Sequence, residues 1–383
     1  MSLKTRLSQV AAKIESAEGT AETLTASEAT LLPYDPSFAA DIAKFARTPA
    51  RSVYTPLDKV TGRQLASLGV RTELKGSGDV TTAPAWGVWA QLCGMTESVV
   101  KTVAIGAVSG GPFLPGELVS NGSDVGRVVG AVAATPLYYV LVSGSAFANT
   151  DNLTGATSGA TATCSADSLD DKGFEYLTRS GGEVSGTVAL FRDGRRKLMV
   201  GARGNAQVTG VLGEPLFLTL AMQGVYGSVA DVALLASIAY ESVVPPSFLG
   251  VDVTVQGYAA KLRNLSIDLG NELTPDEYVG SDAPKGAKSV LIIGRTPTAT
   301  MDPQAVLVAT HDFWGKVVSG AGGYLYTQVG SSAGNTIKVA APRVQYDTVA
   351  EQENAGVEVD AVNMSLTTND LAATDNALQL AMV

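Results

Sequence analysis

The sequence predicts a mainly β protein: β-sandwich or barrel units, each with a flanking α-helix, two in tandem, and a small β domain inserted in the first. Three observations carry this reading. Of 383 residues, 41 are Gly and 16 are Pro, a turn-rich composition that suits many short strands. Only 17% are charged against 45% apolar, which excludes a solvated disordered chain. Apolar and polar residues alternate with period two at many places, as where Val70, Thr72 and Leu74 interleave with Arg71, Glu73 and Lys75. At about 150 residues per domain, the length calls for two to three domains.

In chain order, Leu3, Leu7, Val10, Ile14 and Ala17 recur at helical spacing and predict an amphipathic helix over 1–17, within an N-terminal arm of residues 1–19. To about residue 75 the pattern is strand and loop, punctuated by Pro33, Pro36, Pro49 and Pro56. A helix follows, capped by Thr82, with Pro84 in its first turn and Trp86, Trp89, Leu92 and Cys93 on one face. Residues 20–104 and 166–233 form the first unit. Residues 105–165 between them are rich in Gly, Ser, Ala, Val and Thr and repeat internally. Phe113–Val119 with Gly122–Val128, and Phe147–Leu153 with Thr157–Thr163, each read as strand, turn, strand. Surface loops tolerate such an insertion with little loss of stability. Past it, Val184–Phe191 and Lys197–Ala202 are arms of a hairpin turning at Asp193-Gly194. Leu216, Leu218 and Leu220 then alternate with Phe217, Thr219 and Ala221 in a strand apolar on both faces.

A second unit spans 234–383. Strands are expected at Val251–Gln256 and Leu262–Leu269, with a buried strand at Ser289–Gly294. A helix capped by Asp302, with Pro303 first, then presents Val306, Ala309, Phe313 and Trp314. Further strands fall at Gly323–Val329, Thr336–Ala340 and Val344–Val349, and two more begin near Val357 and Ala377. The two passes parallel each other. Gly69–Leu74, Ala83-Pro84 and a Trp-bearing helix match Gly294–Thr298, Asp302-Pro303 and a Trp-bearing helix, and Gly204–Val211 matches Pro342–Val349.

The chemistry inventory is poor. Lys and Arg number 27 against 37 Asp and Glu, a formal charge of −10, which argues against a grip on nucleic-acid phosphates. Cys93 and Cys164 make no disulfide framework or metal cluster. A single histidine, His311, supplies neither a triad nor a zinc site and reads as a satisfied imidazole on a helix. No Walker-type phosphate loop occurs. Gly76-Ser77-Gly78 lacks the following Lys and reads as a capping turn. The acidic stretch Asn271–Asp282 misses the ligand spacing of a calcium loop and reads as a solvated loop. No secretory signal and no run of about 18 apolar residues is evident, so no membrane association is expected, and a reducing cytoplasm suits the cysteines. The expected chain performs no catalysis and carries no cofactor or metal.

Several blocks occur in a fixed order: Ala12–Ser16 with Gly19-Thr20; Glu73–Gly78 with Ala83-Pro84 and Leu92–Met95; Phe191–Gly194 with Gly201–Asn205; and Asp302-Pro303, Gly334-Asn335 and Ala341–Gln345. In that order they resemble the major tail tube proteins of long, non-contractile-tailed bacteriophages, over nearly the whole chain apart from the insertion. The resemblance implies β-sandwich units with a flanking helix, closing in rings around a lumen, the rings stacking into the tube that carries DNA to the host. Typical members form hexameric rings of one unit each, so two units per chain imply trimers with pseudo-sixfold symmetry. It implies a virion protein, assembled in the host cytoplasm, whose partners are itself, the tape measure, tail terminator and distal tail proteins. Genomic DNA would pass through without specific binding.

An acidic lumen would repel phosphates, and Glu73, Asp268, Glu272, Glu358 and Asp360 are its candidate carboxylates. Closing sheets across subunits removes exposed edges. Candidate subunit and ring contacts are Leu216, Leu218, Leu220, Leu291 and Ile293, with Leu3, Leu7 and Val10 of the arm. Stacking is expected at Thr61–Leu68, Asn271–Lys285 and the arm. The inserted domain is an outward decoration. The alternative is a phage receptor-binding or tail decoration protein, and a β-sandwich hydrolase comes third because only one histidine is present.

Overall fold

A computed structural model describes residues 3–169, 171–368 and 375–383, and the fold is mainly β. The chain opens with β1 (Ser8–Ile14), then a long hairpin of β2 (Tyr34–Arg47) and β3 (Leu57–Glu73), a short helix α1 (Gly87–Leu92) and β4 (Met95–Val99). Six short strands follow: β5 (Lys101–Val103), β6 (Leu118–Ser120), β7 (Val125–Val128), β8 (Leu137–Ser143), β9 (Asn152–Gly155) and β10 (Thr161–Thr163). The chain returns through β11 (Phe174–Thr178), β12 (Gly186–Arg192), β13 (Arg195–Val211) and β14 (Phe217–Asp231). After an extended strap come β15 (Val253–Val255), β16 (Tyr258–Ala260), β17 (Asn264–Asp268), β18 (Asn271–Pro275), β19 (Val290–Arg295) and β20 (Thr298–Met301). The last elements are α2 (Phe313–Ser319), β21 (Gly322–Val329), β22 (Ile337–Asn354), β23 (Val357–Leu366) and β24 (Gln379–Met382).

Eight of these strands form one antiparallel run, β2-β3-β14-β13-β17-β20-β23-β22. A single cross-strand row threads it through Tyr34, Arg71, Thr219, Gln207, Asp268, Thr298, Ser365 and Gln345. Each half of the run has the same order: first strand, second, fourth, third. Gln207 and Gln345 therefore occupy equivalent places, each on the third strand of its half. The seam between halves is β13 against β17, Gln207 to Val211 opposite Asp268 to Asn264.

Alternation then sorts the side chains. Leu68, Val70, Leu218, Leu220, Ala206, Val208, Ile267, Ala299, Val362 and Met364 all enter one buried cluster that runs through both halves. Trp86, Trp89 and Leu92 of α1 and Phe313 of α2 close it. The Asp193-Gly194 turn of the β12–β13 hairpin has φ of 44° and 92°, the left-handed pair that Asp-Gly supplies.

Several expectations are corrected. The arm is not a helix: residues 8–14 are a strand paired to β12. Val10 and Ala12 face the main core while Ala11 faces a second cluster capped by Val232, Leu234 and Leu235 of the strap. A strand covered on both faces loses its period-two signal, so helical spacing looked better. Thr82 and Pro84 lie in turns before α1, whose cap position is Trp86. Asp302 caps no helix; its carboxylate accepts from the backbone N–H groups of Arg263 and Asn264, and Asp312 caps α2 through Gly315 N at 2.7 Å. Trp314 is half-exposed, outside the core. The strands expected at Thr336–Ala340 and Val344–Val349 are one, β22, which carries Pro342 through a bulge in its pairing with β21, the place a sheet accommodates a missing donor. Ser289–Gly294 is no buried strand: β19 pairs only with β18, and the two make a separate hairpin. Asn271–Pro275, expected as loop, is β18. Thr61–Leu68 lies inside β3.

β5 to β10 make their own six-stranded sheet around Phe113, Val119, Val128, Leu137, Tyr139, Phe147 and Leu153. That module is fixed to the body by a buried polar lock. Arg127 of β7 forms an ion pair with Glu175 of β11, which is fully buried. Gln379 of β24 donates to the same carboxylate at 2.6 Å and to Val128 O at 3.0 Å, and accepts from Gly130 N at 3.1 Å. Removing one partner of a buried pair strands the other without solvent. Glu175→Ala is therefore expected to destabilise the chain by about 3–5 kcal/mol, read by denaturant unfolding, and to raise amide exchange first in residues 101–163.

Candidate functional site

The feature that stands out is the eight-stranded run itself, which has one polar face and two unpaired edges. The face turned away from the core alternates with the buried row. It carries Asn205, Gln207 and Thr209 on β13, Thr219 and Gln223 on β14, Asn264 and Ser266 on β17, Thr298 and Thr300 on β20, and Asn363 and Ser365 on β23. Neutral groups bond across strands, Gln207 to Ser266 at 3.0 Å and Asn363 to Thr348 at 2.8 Å, and Asn205 donates to the Asp268 carboxylate at 2.7 Å. The few charges are engaged. Arg71 stacks on Phe217, 3.5 Å from its ring centre, and Ser365 donates to Asp347.

At the edges, the main chain is open. Among the described residues, β2 has no partner on its outer side, and β22 from Tyr346 to Asn354 pairs only with β23. At the internal seam, the hairpin of β18 and β19 leaves the sheet and lies over β13 and β14. Asn271 fixes it there, donating to Cys93 O at 2.7 Å and Gly204 O at 2.9 Å, and Arg295 donates to Asn271 at 2.7 Å and to Gly94 O at 3.1 Å. So one half of the chain clasps the other by strand pairing plus an overlaid hairpin.

The expected site residues distribute unevenly. Glu73 and Asp268 do lie on the polar face, but both are engaged. Tyr34 donates to Glu73 at 2.6 Å, which holds the Tyr34 hydroxyl above its usual range, and Asp268 accepts from Asn205 and Gly270 N. Glu358 and Asp360 are on the opposite face, in phase with Val362 and Met364. Asp360 is buried, and burial, with Glu358 and Glu351 beside it, raises its pKa. Glu272 is exposed on the β18–β19 hairpin, off the main sheet. A uniformly acidic face is not what these carboxylates build.

Of the apolar contacts, Leu216, Leu218 and Leu220 are spent inside the chain's own core, at most 1% exposed, and cannot face a neighbour. Val10 is likewise fully buried. Leu3, Leu7, Leu291 and Ile293 remain on the surface, Ile293 at 63%.

The remaining chemistry of the sequence is one histidine and two cysteines. His311 precedes α2, buried among Tyr258, Phe313 and Tyr346, with Nε2 3.0 Å from the Tyr346 hydroxyl. Burial, with Lys316 nearby, pushes it down to about 4. Cys93 and Cys164 are buried thiols, and burial raises both, Cys93 to about 12. Gly76 exists because a side chain there would strike the Gly334 carbonyl; Gly76 N donates to Asn335 and Gly78 N to Gly334 O, so the glycine turn joins the two halves. No group of three or more metal-ligating side chains occurs among the described residues. No protein-family model matches the chain, and no curated protein shows similarity to it.

The His311 environment sets a pH response. The unfolded chain binds a proton near pH 6.5, whereas the folded chain resists it until about 4. Stability contributed by the neutral imidazole is present above that window and lost as pH falls through it. Thermal melts at pH 7 and pH 4.5 should show His311→Gln with a smaller drop in Tm than the unaltered chain.

Proposed function

We propose that this chain is a structural protein that polymerises through its sheet edges into rings, and ring upon ring into a tube: the tail tube subunit of a long, non-contractile-tailed bacteriophage, built in the host cytoplasm and carried in the virion. The observation that carries the reading is the internal seam. Two halves of identical strand order, read here as two copies of one unit, already pair third strand to first strand, β13 to β17. The free third strand of the second half, β22, and the free first strand of the first half, β2, are the same two partners, left for another copy.

Such a contact joins unlike surfaces, so it is heterologous and closes into a ring when its rotation divides the circle. Closure removes both exposed edges. The ring size follows from the strand count. Eight strands per chain give 24 in a trimer; at about 4.8 Å spacing and about 40° tilt, the barrel is about 48 Å across. That admits a hydrated duplex once side chains are subtracted. One chain alone would close to about a third of that width, filled by its own side chains.

The polar face would then line the lumen. Neutral hydroxyl and amide groups, already bonded to each other, offer phosphates no row of cations, so DNA would slide without being held. Non-adhesion thus comes from absent cations more than from repulsion. The tape measure, tail terminator and distal tail proteins are the partners this reading implies, with no cofactor and no catalysis.

Purified chain should give rings of fixed diameter and threefold symmetry in averaged negative-stain images; isolated globules or spikes would favour a receptor-binding or decoration protein. Glu351→Pro, at an exposed position in the open run of β22, should abolish ring closure while lowering Tm by no more than about 4 °C.

A further inference from the structure

We propose that the rings stack by charge complementarity between the two ends of the sheet, the acidic β22–β23 hairpin of one copy seating on the basic end of a copy in the next ring. This rests on the ring reading above and concerns only the axial contact. In the eight-stranded run, β3, β13, β20 and β22 share one direction, because every neighbour pair is antiparallel. The starts of β3 and β13 therefore lie at one end of the sheet and the end of β22 at the other.

At the β22 end, residues 347–360 hold five carboxylates and no Lys or Arg. Glu351 stands opposite Asp360 across the ladder, and Glu353 opposite Glu358. Like charges directly opposite on a sheet repel. Among the described residues none of these four makes an ion pair; Glu353 accepts from Gly356 N at 3.2 Å, Asp360 is buried with Trp314 as a hydrogen-bond partner, and Arg263 donates to Asn354 beside them at 2.8 Å. The other end is the mirror case. Between residues 44 and 59 lie Lys44, Arg47, Arg51 and Lys59, all exposed, against a single acid, Asp58. At the β12–β13 turn, at the same end of the strands, Arg195 and Arg196 each leave a guanidinium Nε without a partner, with Asp193 in the turn and Asp231 opposite Arg195. Arg47, Arg51, Lys59, Arg195 and Arg196 form no ion pair among the described residues either.

One chain thus carries a mainly anionic end and a mainly cationic end, on opposite poles of the same strands. Complementary patches on opposite poles cannot close on themselves, so they propagate as an open filament. Pole-to-like-pole contact would set like charges together, which fixes one polarity for every ring in the stack. The occupant is another copy of this chain, since the matching charge sits on the chain itself. A nucleic acid on the basic end would leave the acidic hairpin without a role.

The test uses the full chain, imaged and sedimented at about 0.15 M and about 1 M salt. At 1 M salt the screening length falls to about 3 Å, and tubes should disperse into rings. Glu353→Lys/Glu358→Lys should leave rings intact and cut the tube fraction at least about tenfold, with Glu353→Gln/Glu358→Gln intermediate. Adding Arg47→Glu/Arg51→Glu to the lysine variant in the same chain should restore tubes. Tubes that persist after the acidic reversal, or that the compensating reversal fails to restore, overturn the axial contact while leaving the rings standing. Unaltered chain that forms no rings under any condition overturns the ring reading, and this contact with it.

Discussion

An antiparallel sheet that ends in open strands must dispose of its unpaired amides and carbonyls, and this requirement organises the molecule. Internally the chain meets it by running eight strands through two halves without interruption, so that β13 and β17 satisfy each other. Elsewhere it meets it locally: β12 is covered by β1 and by the strap that follows β14, and β22 is covered along its first half by β21 and β24. What remains open is one strand at each end of the run. Along the open run of β22 the side chains are mostly polar or charged, which keeps that edge from random pairing. The core behind the sheet is continuous across the seam, so the two halves share one packed interior.

Much of this was legible from residue patterns. The Asp193-Gly194 hairpin, the strands around Val70 and Val251, and the strand-turn-strand pieces of the insertion all carry turn chemistry next to alternation. The match of Gln207 with Gln345 was visible as a pattern and is an equivalence of place in the sheet. Misreadings have physical causes. β1 is buried on both faces and so lacks alternation. β22 continues through Pro342 because a bulge absorbs the missing donor. Asp302 looked like a helix cap because it does cap backbone amides, only those of a neighbouring strand. Glu358 and Asp360 were placed by proximity to a strand; counting in twos from Val362 and Met364 assigns them to the apolar side. The open edges could not be found this way. An exposed strand and a paired one share the same alternation, and only three-dimensional neighbours separate them.

The charge of the chain is divided unevenly between the polar face and the ends of the strands. Carboxylates exceed cations by ten overall, yet the surface turned away from the core is nearly neutral, while the strand ends hold concentrated and opposite charge. Formal net charge is silent about this arrangement. On the proposed reading, a surface that lets a polyanion pass and a surface that binds another copy differ in charge, and strand geometry would let one sheet carry both, one along its width and the other at its tips.

The insertion occupies only the first of the two halves, and the Arg127–Glu175 lock holds it in a single orientation. A closed trimer would consequently show this module at every second position around its circumference, with a bare half between successive copies. Fusion of two halves into one polypeptide is what makes such spacing heritable: six identical, separately encoded protomers would all wear the ornament or all lack it. The outside of the cylinder would then present broad furrows alternating with ridges, and the sequence of the undecorated half would be free to drift toward whatever the furrows must accommodate.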